Sequence, residues 1–114
     1  MPTAADAQRK YDEYNAIYFE GKLPGDVEIR FIRGLKDETG RELHGQTTPM
    51  DEGAYLIELA AGMAPDLYRL TLCHECVHVK LHARGFKCWR SHRSKIWKKE
   101  VQRLANLGYL LEIF

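Results

Sequence analysis

Several features are missing from this 114-residue chain, and each absence removes a class of protein. No run of 18 or more apolar residues occurs, so no segment reads as a transmembrane helix. The opening Met1-Pro2-Thr3-Ala4-Ala5-Asp6 lacks the basic-then-apolar order of a secretory signal. The expectation is a protein that stays where it is made, cytoplasmic or associated with nucleus or nucleoid, with no membrane partner. Cysteine is scarce. Cys73, Cys76 and Cys88 are odd in number and come without an export signal, which argues for free thiols rather than a disulfide framework. Repeats, low-complexity tracts and linkers are absent as well, and the length suits one modest core. One domain spanning residues 1–114 is expected.

A large net charge is also lacking, but the formal total of +1 conceals an asymmetry. Residues 1–71 carry 8 Lys/Arg against 13 Asp/Glu, a balance of −5, whereas residues 72–114 carry 9 against 3, a balance of +6. A basic flank of this kind is either a solvated helix surface or an attractor for a polyanion such as single-stranded DNA. Phe86, Trp89 and Trp97 lie among these charges, where they suit base stacking and a core equally well.

The elements that are present alternate between helix and strand periods. Thr3-x-x-Asp6 is a helix start, and Ala7, Tyr11, Tyr14 and Tyr18 form one stripe behind it. Gly21 and Pro24-Gly25 end that helix. Val27, Ile29 and Phe31 alternate with polar residues as a half-buried strand. The polar stretch from Gly34 to Arg41 reads as a loop or hairpin tip, Leu43 to Thr48 as a second strand, and Met50 to Gly53 as a turn. Tyr55, Ile57 and Leu59 mark a third strand. Pro65 and Asp66 open a helix that is apolar on most sides from Leu67 to Leu81, and Gly85 stops it. A last helix is expected from Ser91 to Asn106 with Ile96, Trp97, Val101, Leu104 and Ala105 inward. Tyr109 to Phe114 could add a terminal strand. The fold class is α+β: an N-terminal helix, a three- or four-stranded sheet, a central helix and a C-terminal helix.

The central helix carries His74-Glu75-Cys76-Val77-His78, an H-E-x-x-H. Residues four apart share a helix face, so both imidazoles can hold one metal ion while Glu75 faces the water beside it. Two imidazoles and a carboxylate on a buried helix are costly unless paired or coordinated. Catalytic zinc takes three protein ligands, so a third is required. His92 follows His78 by fourteen residues across the Gly85 turn and precedes Ile96 by four, which points it into the fold. Cys88 is a soft rival. His82 lies about 12 Å along the helix from His74. His44 sits in the presumed second strand, substrate-facing or exposed. His92 is the expected third ligand. Cys73 and Cys76 flank His74 in mid-helix with no second pair, and read as core residues rather than a zinc knuckle.

In this order and spacing the chain resembles the SprT-like (Spartan-type) zinc metallopeptidase domain almost end to end. Tyr14-Asn15-Ala16-Ile17-Tyr18-Phe19-Glu20-Gly21-Lys22-Leu23-Pro24 is similar to the family's opening helix and its Phe-x-Gly-x-Leu-Pro exit. Gly45 and the strand Tyr55 to Leu59 resemble its edge strand and the strand that follows. Leu70 to His78 resembles its zinc helix, His92-Arg93-Ser94-Lys95-Ile96-Trp97 its third-ligand motif, and Arg103 to Gly108 its last helix. Arg93 stands where the family has glycine, and a catalytic domain without the family's accessory zinc ribbon is expected. The resemblance implies a minimal zincin with Zn²⁺ on His74, His78 and His92, and Glu75 as general base. It also implies a protein or peptide substrate, in the Spartan branch one crosslinked to DNA. The expected reaction is peptide hydrolysis, with an extended substrate lying along Gly45 to Thr48. The competing expectation is a DNA-associated binding module with structural or vestigial zinc.

Overall fold

A computed structural model describes residues 2–108, so the expected strand at Tyr109 to Phe114 lies outside the described residues. Helix α1 (Ala4–Tyr18) starts as the sequence suggests. The Asp6 N–H donates to Thr3 Oγ1 at 3.1 Å, and the Thr3 N–H donates to Asp6 Oδ2 at 2.8 Å. This reciprocal pair satisfies two donors that a helix start otherwise leaves open. Ala7, Tyr11 and Tyr14 are buried and Tyr18 packs beside them. Phe19 caps the helix, and the chain reverses through left-handed Glu20 (φ 57°) and Gly21 (φ 71°).

Three strands follow: β1 (Val27–Ile32), β2 (Gly45–Pro49) and β3 (Tyr55–Ala60), in the order β1-β3-β2. The central β3 pairs parallel with β1 and antiparallel with β2. Tyr55, Ile57 and Leu59 of β3 are buried, as are Val27 and Ile29 of β1. Strand β2 begins at Gly45, two residues later than expected. The Leu43 N–H is taken by the Leu35 carbonyl at 3.0 Å, next to a Lys36–Glu42 bridge that closes the loop before the strand. Within that loop Asp37 Oδ1 accepts hydrogen bonds from the backbone of Thr39 and Arg41.

Strand β2 forms one edge of the sheet, and its register decides which backbone groups are open. The His44 carbonyl accepts from the Ala60 N–H, and the Met50 N–H donates to the Ala54 carbonyl. Bonded pairs alternate in an antiparallel ladder. They therefore fall at 46 and 48, and the N–H and C=O of Gly45 and Thr47 point out from the sheet. Pro49 occupies the next outward position, where its missing N–H breaks no ladder bond.

Helix α2 (Pro65–Ala83) crosses beneath the sheet, with Pro65 in its first turn and buried residues around most of its circumference. Helix α3 (Lys95–Asn106) begins four residues later than the expected Ser91. Ser94 is the N-cap instead, its Oγ accepting the Trp97 N–H at 3.1 Å. Trp97, Glu100 and Leu104 are its buried face. The buried Glu100 is held by Lys80 of α2 at 2.5 Å and by two bonds from Arg103 at 2.7 and 2.9 Å, which locks α3 onto α2. No helix among the described residues is long and apolar enough to cross a membrane.

Candidate metal centre

The i, i+4 spacing on α2 places His74 and His78 one turn apart on the face toward β2. The chain returns to them through the turn at residues 88–93, where the Ser91 N–H donates to the Cys88 carbonyl and the Arg93 N–H to Ser91 Oγ. His92 projects from this turn rather than from α3. Its residue is exposed, contrary to the expectation drawn from Ile96, but its Nε2 meets the other two. The Nε2 separations are 3.2 Å between His78 and His74, 3.1 Å between His74 and His92, and 3.0 Å between His78 and His92. Two imidazoles bound at about 2.0–2.1 Å to a tetrahedral ion have nitrogens about 3.3 Å apart. The triangle is within a few tenths of an ångström of that, and the three histidines are compatible with one metal ion.

Surrounding contacts orient the ligands. His78 Nδ1 lies 2.7 Å from the Trp89 carbonyl. A carbonyl only accepts, so Nδ1 carries the proton and the lone pair of neutral His78 sits on Nε2, aimed at the centre. Burial brings the His78 imidazole down to about 4, against the raising effect of that carbonyl. Burial also lowers His92. The Trp97 indole, 2% exposed, lies 4.5–4.8 Å from all three imidazole rings and forms an apolar floor beneath them.

Glu75 is the second component. Its residue is 4% exposed, and burial raises its carboxyl to about 7 despite a hydrogen bond that opposes the shift. That bond comes from Thr47 Oγ1, which donates to Glu75 Oε1 at 2.8 Å. Gly45 faces α2 from the same side of β2. A Cβ there would lie 2.8 Å from Thr71 Cγ2 and 3.0 Å from Glu75 Oε2, so only glycine lets the strand approach this closely. The sequence reading placed Thr47 on the substrate-facing strand but did not join it to Glu75. Its signal is the strand period, because residues 45 and 47 share a face.

The remaining candidates lie elsewhere. His82 Nδ1 is 2.7 Å from the Tyr55 hydroxyl, and its ring meets Trp89 edge-on. It braces the residue whose carbonyl holds His78. Cys88 is an exposed free thiol outside the histidine triangle, and Cys73 and Cys76 are buried free thiols in the core. His44 is exposed at the rim. Two open bays flank the centre. One, of about 460 Å³, is lined by Gln46, Thr47, Trp89, Arg90 and Glu38. The other, of about 330 Å³, is lined by His44, Leu67, Leu70 and Thr71. No protein-family model, curated protein or solved structure matches this chain, so the chemistry of the centre rests on its own geometry.

Proposed function

We infer that the domain is a zinc-dependent metalloendopeptidase of the SprT-like kind, acting on protein or peptide chains. The observation that carries this reading is the convergence of three Nε2 atoms at 3.0–3.2 Å beside a buried carboxylate from the same helix turn. A purely structural site has no use for that carboxylate. Imidazole ligands suit zinc, and three of them leave a fourth position open. Zinc bound there supplies a Lewis acid for a peptide carbonyl and brings the pKa of water towards 7.

The other tasks fall to the chain. Thr47 fixes one oxygen of Glu75, so the carboxylate presents Oε2 to the cleft in a single orientation. Glu75 accepts the proton of the attacking water there and delivers it to the departing amine. Burial raises this carboxyl in the metal-free chain, which favours its holding a proton, and a cation on the adjacent imidazoles would favour the ionised form that accepts one. Trp97 keeps water from the back of the imidazoles, and the Trp89 carbonyl keeps the His78 lone pair on Nε2. The outward N–H and C=O groups of Gly45 and Thr47 hold an extended substrate as an added strand.

Casein hydrolysis with one equivalent of zinc tests this reading. Glu75→Gln is expected to retain the ion and lose roughly a hundredfold or more in rate. Equal rates would remove Glu75 from the mechanism. A wild-type protein that binds zinc and cuts nothing would favour a second reading, a DNA-associated module with structural zinc. Lys87, Arg90, Arg93, Lys95, Lys98 and Lys99 are all exposed along the turn and α3, which favours a polyanion partner. Single-stranded DNA binding followed by fluorescence anisotropy should weaken steeply with salt on that reading, and a salt-independent signal would exclude it.

A further inference from the structure

Lys80 and Arg84 follow His78 by two and six residues, which puts them on the side of α2 roughly opposite the histidines. There the helix ends at left-handed Gly85 (φ 83°), with the Gly85 N–H donating to the His82 carbonyl at 2.9 Å and the Phe86 N–H to the Leu81 carbonyl at 3.1 Å. This pair of bonds is a helix-ending motif that brings the residue after the glycine back beside the last turn. Phe86 is nevertheless 36% exposed and stands outside the core cluster. With Leu81 and Ile96 it forms the apolar floor of a cavity of about 320 Å³ between the end of α2 and α3. Four cations surround that floor: Lys80 and Arg84, one turn apart on α2, and Lys99 and Arg103, one turn apart on α3.

One carboxylate stands among them. Glu100 already holds Lys80 and Arg103, and both cations also lie over the Phe19 ring, 5.8 and 5.5 Å from its centroid. Arg84 and Lys99 are exposed and make no ion pair among the described residues. Four cations against one carboxylate leave a surplus of three positive charges around the cavity. The crowding is felt inside the cluster. Burial lowers the Lys80 ammonium, and Arg103 and Arg84 push it the same way against the pull of Glu100. Beyond Lys80 and Arg84 the groove continues into a recess of about 110 Å³ lined by Phe19, Lys22 and Leu23, a length that suits a chain segment rather than a small anion. Carboxylates match the guanidinium fork of Arg84, and a large apolar side chain matches the floor. A nucleic acid strand matches less well, because Glu100 stands in the wall and a single ring makes no stacking platform. We propose that this groove docks a segment of a partner protein, rich in aspartate and glutamate around a leucine or phenylalanine. Its acids meet Arg84 and Lys99, and its apolar side chain enters between Leu81, Phe86 and Ile96. The site lies apart from the metal centre and does not depend on the peptidase reading.

The test follows the fluorescence anisotropy of a short labelled peptide of aspartate and glutamate with Leu-Phe at its centre, bound to the whole chain. Replacing Leu-Phe by Ser-Ser should weaken binding roughly tenfold or more, the contribution of burying one large apolar side chain. Arg84→Glu/Lys99→Glu should weaken the Leu-Phe peptide by roughly tenfold or more as well. Both residues are exposed and unpaired, so this variant should unfold within a few degrees of the wild type. Lys95→Glu/Lys98→Glu makes the same change in net charge on exposed positions of α3 outside the cavity, and should leave the affinity within about threefold. Phe86→Ala should erase the advantage of Leu-Phe over Ser-Ser and leave the Ser-Ser peptide unaffected. Equal affinity for the two peptides, no saturable binding, or an equal loss in the two charge-reversed variants would overturn the proposal. So would an oligothymidylate that displaces the peptide at lower concentration than the unlabelled peptide does, which would put a nucleic acid in the groove. Self-association in sedimentation that Arg84→Glu/Lys99→Glu abolishes would overturn it too, by putting a second copy of the chain there.

Discussion

Replacing Glu75 by glutamine is expected to stabilise the metal-free protein, and only on the alkaline side of a defined window. Burial moves the Glu75 carboxyl from its ordinary 4.5 up to about 7, and the Thr47 hydrogen bond opposes only part of that rise. Between these values the folded state keeps a proton that the unfolded chain has released. Stability therefore falls as pH rises from 4.5 to about 7, and the full cost persists above that. At about 1.36 kcal/mol per pH unit, the gap between 4.5 and about 7 amounts to roughly 3 kcal/mol. A glutamine is neutral throughout and still accepts the Thr47 hydroxyl. The His78 contribution is common to both proteins and drops out of the difference. Urea unfolding in the presence of a chelator should show Glu75→Gln more stable by roughly 3 kcal/mol at about pH 8, with a midpoint temperature about 10 °C higher. The two should be indistinguishable near pH 4. Equal stability at about pH 8, or a gap that persists unchanged near pH 4, would refute the argument that burial holds this carboxyl up.

Three other outcomes follow from named contacts. Thr47→Val removes the 2.8 Å donor to Glu75 Oε1, and should lower casein turnover roughly ten- to hundredfold with zinc content intact; unchanged kcat would show that Glu75 orients itself. Gly45→Ala sets a methyl group 2.8 Å from Thr71 Cγ2, on a buried and χ1-stiff side chain, and should cost about 1–3 kcal/mol in urea unfolding. Wild-type stability would mean that β2 stands farther from α2 in solution. Glu100→Gln strips the charge between Lys80 and Arg103 and should destabilise the protein by about 3 kcal/mol, while an effect under about 0.5 kcal/mol would make that trio decorative.

The parts of this molecule that were legible in the sequence are those governed by short-range periodicity. Thr3-x-x-Asp6 gave the start of α1, the alternation at residues 27–31 and 55–59 gave β1 and β3, and H-E-x-x-H put two imidazoles and a carboxylate on one helix face. His92 was legible as a member of the triangle, though for a reason that proved incomplete. Ser91 and Ser94 are both acceptable helix starts, and the competition went to Ser94 because its Oγ is the one that reaches the third N–H of the helix. His92 was thereby left on the turn, where loop hydrogen bonds aim it rather than a shared face with Ile96. The parallel pairing of β1 with β3, with β2 outside, depends on contacts distant in sequence that no local pattern encodes. For the same reason the Thr47–Glu75 and Trp89–His78 bonds, separated by 28 and 11 residues, had no signature beyond strand alternation and an aromatic in a loop.

The most direct test of the account is the zinc stoichiometry of the purified chain after equilibration with the metal and removal of excess, measured beside His92→Ala. One zinc per chain is expected in the wild type, and a loss of affinity of roughly a hundredfold or more in the variant. A wild-type chain that retains no stoichiometric metal, or a His92→Ala variant that holds zinc just as tightly, would contradict the three-histidine centre on which the proposed chemistry depends.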